Sequence, residues 1–119
     1  MPRLAFLTAT ALAATAFAAT ALAAPAATRL NGTVGPGFTI TLKGASGKLV
    51  KTLRPGAYTL VVRDRADIHN FHLRGPGVNK ATSVTGTGTM TWRIMLRKGR
   101  YHYQCDPHAT GMKGDFTVV

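Results

Sequence analysis

Beyond its apolar start the chain alternates between apolar and polar residues, residue by residue. Phe38-Thr39-Ile40-Thr41-Leu42 does so cleanly, and Tyr58, Leu60 and Val62 share one side of Tyr58-Thr59-Leu60-Val61-Val62. Met90, Trp92, Ile94 and Leu96 are in phase, with Thr91, Arg93 and Arg97 on the other side. Further short apolar segments run from Ile68 to Leu73, from Tyr101 to Cys105 and from Phe116 to Val119. Turn residues separate them: Arg54-Pro55-Gly56, Gly75-Pro76-Gly77, Thr85-Gly86-Thr87-Gly88 and Arg97-Lys98-Gly99. Period-two segments bounded by Gly and Pro predict strands, and no helical period competes with them. The expectation is an all-β sandwich of seven to eight strands in two antiparallel sheets. Its core is expected to hold Phe38, Ile40, Tyr58, Leu60, Phe71, Trp92, Ile94, Leu96, Tyr103, Phe116 and Val118, with Met90 inside and Met95 outside.

The apolar start changes the domain count. Met1-Pro2-Arg3 gives a positive beginning, an Ala-, Leu- and Phe-rich run extends to Leu22, and Ala21-Leu22-Ala23 supplies a small-x-small cleavage pattern. Those are the three parts of a secretory signal, predicted over residues 1–23. Many Ala and Thr residues make the run a weak membrane span, so anchoring is expected only if the leader stays uncleaved. Residues 24–119 then form one domain, ordered from about residue 28, with neither repeat nor linker. Export places it in the periplasm or the extracellular envelope.

Export makes the cysteine count informative. Cys105 is the only cysteine of 119 residues, and a lone thiol in an oxidising compartment needs either burial or a ligand role. The charge says less. Fifteen Lys and Arg against four Asp give a net charge of +11. The basic residues are spread out and no recognition motif accompanies them, so nucleic acid is not an expected partner. An acidic partner or an anionic envelope is favoured.

The chemistry gathers in Cys105-Asp106-Pro107-His108-Ala109-Thr110-Gly111-Met112, a thiolate, an imidazole and a thioether on one short loop. Such soft donors select Cu(I), and imidazoles also suit Cu(II). A further imidazole must come from Asp67-Ile68-His69-Asn70-Phe71-His72-Leu73. Strand alternation places His69 on the side of Phe71 and Leu73, hence inward, and His72 outward. The same reasoning turns Tyr101, Tyr103 and Cys105 inward and leaves His102 as a solvated surface residue. Asp106 reads as a turn residue beside Pro107.

With these residues in view, Gly56–Val62, His69-Asn70-Phe71 and Tyr101–Met112 resemble the plastocyanin/azurin family of type 1 copper proteins, the cupredoxins, across essentially the whole mature chain. The resemblance implies a Greek-key sandwich holding one copper ion. His69, Cys105 and His108 would be its equatorial ligands and Met112 its axial one. Asn70 would tie the two ligand segments together and hydrogen-bond near the sulfur. The spacing from His108 to Met112 is one residue shorter than in plastocyanins and one longer than in amicyanins, which leaves the strength of the Met bond open.

Electron transfer between redox partners is the function this implies. His108, beside Pro107 and Ala109, would be the exit at the surface, with Gly35-Pro36-Gly37 at the same end. A redox partner, acidic in character, would dock there on a monomer. The alternative is an envelope copper-binding protein for delivery or buffering, with His72 and His102 as a secondary copper site. The four Met are too scattered for the open Met-rich sites such proteins use. Catalysis of the multicopper kind needs more histidines than the four present, so no enzyme is expected.

Overall fold

The computed structural model describes residues 1–2, 5, 8–22 and 26–119. Parts of the expected leader, Arg3 and Ala23 among them, lie outside the described residues; those of residues 8–22 carry neither helix nor strand and are exposed. No helix among the described residues is long and apolar enough to cross a membrane.

From Thr28 onward the chain is all-β. Its strands are β1 (Thr28–Val34), β2 (Ile40–Gly44), β3 (Thr52–Leu53), β4 (Gly56–Asp64), β5 (His72–Gly75), β6 (Val78–Ala81), β7 (Gly88–Leu96), β8 (Gly99–Gln104) and β9 (Lys113–Val118). They form a four-stranded sheet in the order β2-β1-β4-β7 and a five-stranded sheet in the order β3-β9-β8-β5-β6. Nine strands among the described residues exceed the expected number through the two-residue β3 and the polar β1 and β6.

The sheets are mixed, not purely antiparallel as expected. β1 lies parallel to β4, with Thr28 opposite Tyr58 and Val34 opposite Asp64, and β3 lies parallel to β9. The chain leaves the first sheet for β3 and returns for β4, so it re-enters in the direction β1 already had.

Between the sheets lies one core, containing Leu30, Val34, Leu42, Leu60, Val62, Phe71, Leu73, Leu96, Tyr101, Phe116 and Val118. Two parallel-stacked aromatic pairs brace it: Phe71 on Tyr103 at 5.5 Å and Tyr101 on Phe116 at 5.1 Å between centroids. Each such pair adds about 0.5–1.5 kcal/mol beyond its buried area.

Two expected core residues are outside. Phe38 is 66% exposed because β2 begins only at Ile40, leaving Phe38 in the loop beyond the sheet. Met90 is 48% exposed although in phase with Trp92. It sits near the start of edge strand β7, beside the Thr82–Gly88 segment that lines a small surface hollow with it.

The register gathers three connections at one end. β1 and β4 finish side by side at Val34 and Asp64, and β8 finishes at Gln104 opposite the first residue of β5, His72. Residues 35–39, 65–71 and 105–112 therefore share that end of the sandwich.

Candidate metal centre

Cys105 follows β8 directly and keeps its alternation: Tyr101, Tyr103 and Cys105 are all buried while His102 and Gln104 are half-buried. The chain then turns sharply. Asp106–His108 form one 3-10 turn with Pro107 in its first positions, and the His108 N–H donates to the Cys105 carbonyl at 3.1 Å. The loop closes when the Cys105 N–H reaches the Met112 carbonyl at 3.0 Å and the Met112 N–H reaches the His108 carbonyl at 2.9 Å. Met112 is thus buried next to the cysteine at the root of β9.

His69 arrives by another route. The expected strand over Ile68–Leu73 begins only at His72, and His69, Asn70 and Phe71 are buried one after another in the preceding connection. Alternation therefore names the buried histidine, His69, for a reason that does not operate there. What holds the segment is Thr82: its hydroxyl accepts the Phe71 N–H at 2.8 Å and donates to the buried Asp64 carboxylate at 3.1 Å. Asp64 also accepts the Ala66 N–H at 3.3 Å, fixing the start of the loop.

Three donor atoms converge as a result. His69 Nδ1 and His108 Nδ1 are 3.1 Å apart, and Cys105 Sγ is 3.6 Å and 3.5 Å from them. These are the residues whose donor atoms form a tight metal-ligand cluster among the described residues. A triangle with those sides has its centre about 2 Å from each corner, near the length of a first-row metal bond to imidazole or thiolate. His69 and Cys105 are both 0% exposed, and His108 is half-buried.

The fit to a metal rests on that convergence of lone pairs. On the other side of the ring, His69 Nε2 is buried without a hydrogen-bond partner among the described residues, an arrangement that costs about 1–3 kcal/mol. The His69 ring is fixed by packing. Phe38 meets it edge-on at 5.2 Å, and Gly35 leaves it room, since a Cβ there would lie 3.2 Å from His69 Cδ2.

Sulfur also receives the Asn70 N–H at 3.5 Å. The Asn70 side chain spans to the ligand loop: its Nδ2 donates to Asp106 Oδ2 at 2.9 Å, and its Oδ1 accepts the Asp106 N–H at 2.7 Å. The expected tie between the two ligand segments is therefore present. A thiolate with two imidazoles in a buried trigonal set suits copper.

A profile of copper-binding proteins of the plastocyanin/azurin family matches residues 61–119. This chain is a cupredoxin. Solved structures agree in fold. Reduced rusticyanin is 19% identical over 76% of this chain and 78% of its own, with a TM-score of 0.55. Rusticyanin from Thiobacillus ferrooxidans is 22% identical over 76% of both chains, with a TM-score of 0.53. A chain of a heme-copper terminal oxidase dimer is 18% identical over 76% of this chain and 63% of its own, with a TM-score of 0.52. No curated protein matches the sequence. The cofactor of this cupredoxin is one type 1 copper ion.

The surface histidines behave differently from expectation. His72 and His102 are half-buried, and both ring nitrogens of each are engaged. His72 lies between Asp106 at 2.9 Å and Asn79 at 2.6 Å, and His102 between Asp115 at 2.8 Å and Gln104 at 3.0 Å. Neither is free to build a secondary copper site with the other.

Two residues of the site were not expected there. Phe38 packs edge-on to both ligand rings, a role hidden by its alternation with Ile40 and Leu42. Asp106, read as a turn residue, is the hub of the side chains around the loop. The signal for it was an acid directly after the cysteine in a chain with only four acids. Partial burial pushes the Asp106 pKa up, but hydrogen bonds from Gln104, Asn70 and His72, with the His72 charge, prevail and hold it at about 2.

Proposed function

We propose that this cupredoxin carries single electrons between redox partners and catalyses no reaction of its own. The observation that supports this best is the closed donor set: His69 Nδ1, His108 Nδ1 and Cys105 Sγ within 3.6 Å of one another, two of the three residues fully buried. His69, Cys105 and His108 hold the ion equatorially in this reading, and Met112 supplies the weak axial thioether. Copper bound there supplies a one-electron Cu(II)/Cu(I) couple. The two ligand loops, tied by Asn70 and Asp106, keep the donors in place through both states, so little has to move. Burial leaves no position for a substrate and no ready way to hand the ion on, which weighs against delivery or buffering.

His108 is the contact point with partners in this proposal. It is half-buried, with exposed Phe38 packed against its ring and exposed Pro107 and half-exposed Ala109 beside it in sequence. An apolar rim of this kind lets a partner approach closely, while the net charge of +11 favours encounter with an acidic one. The leader pattern of residues 1–23 supports export to the periplasm or envelope. Optical and EPR spectra after adding Cu(II), alongside Cys105→Ser, test the reading. An intense visible band with narrow copper hyperfine splitting, both lost in the variant, is expected. A pale spectrum with wide splitting that survives the substitution would refute it.

A further inference from the structure

Asp106 adjoins the cysteine and is bound from several directions. Its Oδ2 accepts Asn70 Nδ2 at 2.9 Å, and its Oδ1 accepts Gln104 Nε2 at 2.9 Å. His72 Nδ1 lies 2.9 Å and 3.0 Å from the two oxygens, and His72 is braced from behind by Asn79. The Asp106 N–H donates back to Asn70 Oδ1 at 2.7 Å. These partners come from β8, from the loop before β5, from β5 itself and from β6. A turn residue needs none of this. Gln104, Asn70, His72 and Asn79 together hold one carboxylate in one place.

The position matters because of what shares it. Cys105 is fully buried one residue away, and Asn70, which Asp106 grips at both ends of its amide, directs its own backbone N–H at Cys105 Sγ. Each reduction brings one electron from the partner to the site and lowers the site's charge by one. A fixed negative charge nearby opposes that change. Hydrogen bonds that orient donors toward the sulfur act on the same couple.

Resting on the type 1 copper reading above, we propose that Asp106 is a positioning residue whose locked carboxylate biases the couple toward Cu(II), with His72 as the donor that moderates its charge. Removing the charge while keeping the shape, in Asp106→Asn, makes reduction easier. Removing the donor, in His72→Phe, leaves the carboxylate less compensated and makes reduction harder. A merely structural tie would not move the potential in opposite directions.

The experiment measures reduction potentials of the copper-loaded wild type, Asp106→Asn, His72→Phe and Asp115→Asn. Asp115 carries the same charge but pairs with His102, so it controls for net charge. The expected result is a several-fold to tenfold shift of the Cu(I)/Cu(II) ratio toward Cu(I) in Asp106→Asn, about 59 mV for a tenfold change. His72→Phe shifts the other way, and Asp115→Asn changes the ratio less than twofold. Should Asp106→Asn fail to fold, the His72→Phe shift decides by itself. Equal shifts in Asp106→Asn and Asp115→Asn, or none in either Asp106→Asn or His72→Phe, overturn the inference while the visible band stays intact. Absence of that band in the wild type removes the copper reading itself, and the inference with it.

Discussion

Phe38 stands edge-on to His108, ring centroids 5.0 Å apart and planes at 88°, although Phe38 is two-thirds exposed to solvent. The same ring meets His69 at 5.2 Å, so one exposed side chain closes off both imidazoles. Phe38→Ala is expected to speed copper extraction by a chelator several-fold. Folding stability should fall by less than about 1 kcal/mol, because little of the ring's area is buried. An extraction rate equal to wild type would show that the ring does not shield the site.

Copper should add stability wherever its donors are assembled only in the folded state. At a free concentration one hundred times its dissociation constant the gain is about 2.7 kcal/mol. For a domain of this size that raises Tm by on the order of 10 °C. Thermal melts with and without copper check this, and Cys105→Ser should lose at least half of the increment. Equal increments in both proteins would mean that the ion sits elsewhere.

Asp106 also leaves a mark on acid stability in the copper-free protein. Its folded pKa of about 2 lies below the ordinary 3.8. The stabilisation is therefore fully present above pH 4 and disappears as pH falls through 2. With 40% of the side chain exposed, screening limits it to less than about 1 kcal/mol. Urea titrations from pH 5 to pH 2 should show wild type losing this increment and Asp106→Asn showing a flatter acid limb. Parallel curves would count against the carboxylate's hydrogen bonds.

Two glycines make room for tyrosine rings on the neighbouring strand. A Cβ on Gly114 would fall 2.3 Å from Tyr103 Cζ, and one on Gly75 would fall 2.1 Å from Tyr101 Cδ1. Tyr101 cannot readily give way, because its hydroxyl accepts the Arg97 N–H and faces the carbonyls of Pro76 and Arg97. Gly75→Ala and Gly114→Ala should each cost about 1–3 kcal/mol. Gly86→Ala, whose nearest neighbour would be at 3.5 Å, serves as the comparison. Denaturant midpoints equal to that control would contradict the close approach.

Alternation carried the sequence reading where a strand runs the length of the core. Tyr101, Tyr103 and Cys105 come out buried for the reason expected. It misled where apolar phase continues past the sheet, as at Phe38 and Met90, because a pattern does not announce where its strand stops covering the core. β1 escaped notice because only Leu30, Gly32 and Val34 face inward among Thr, Arg and Asn, and its parallel partner β4 is distant in sequence. Of the His69–Cys105–His108 cluster, the Cys105–His108 part was legible because both residues lie on one loop. Asp106 was not, because its partners Asn70 and His72, and Asn79 behind His72, come from elements that only the tertiary fold brings to it.

The direction of β1 gives the molecule two poles. The chain enters at Thr28, opposite Tyr58, and runs seven residues before Val34 delivers it to the loop beside His69. At roughly 3.3 Å per residue the entry point is about 20 Å from the ligand end. Whatever is joined ahead of Thr28, whether a leader, a linker or an anchor, attaches at the opposite pole. A tether there would turn His108 away from whatever holds the protein and present it to the open side, where a second protein can reach it without obstruction.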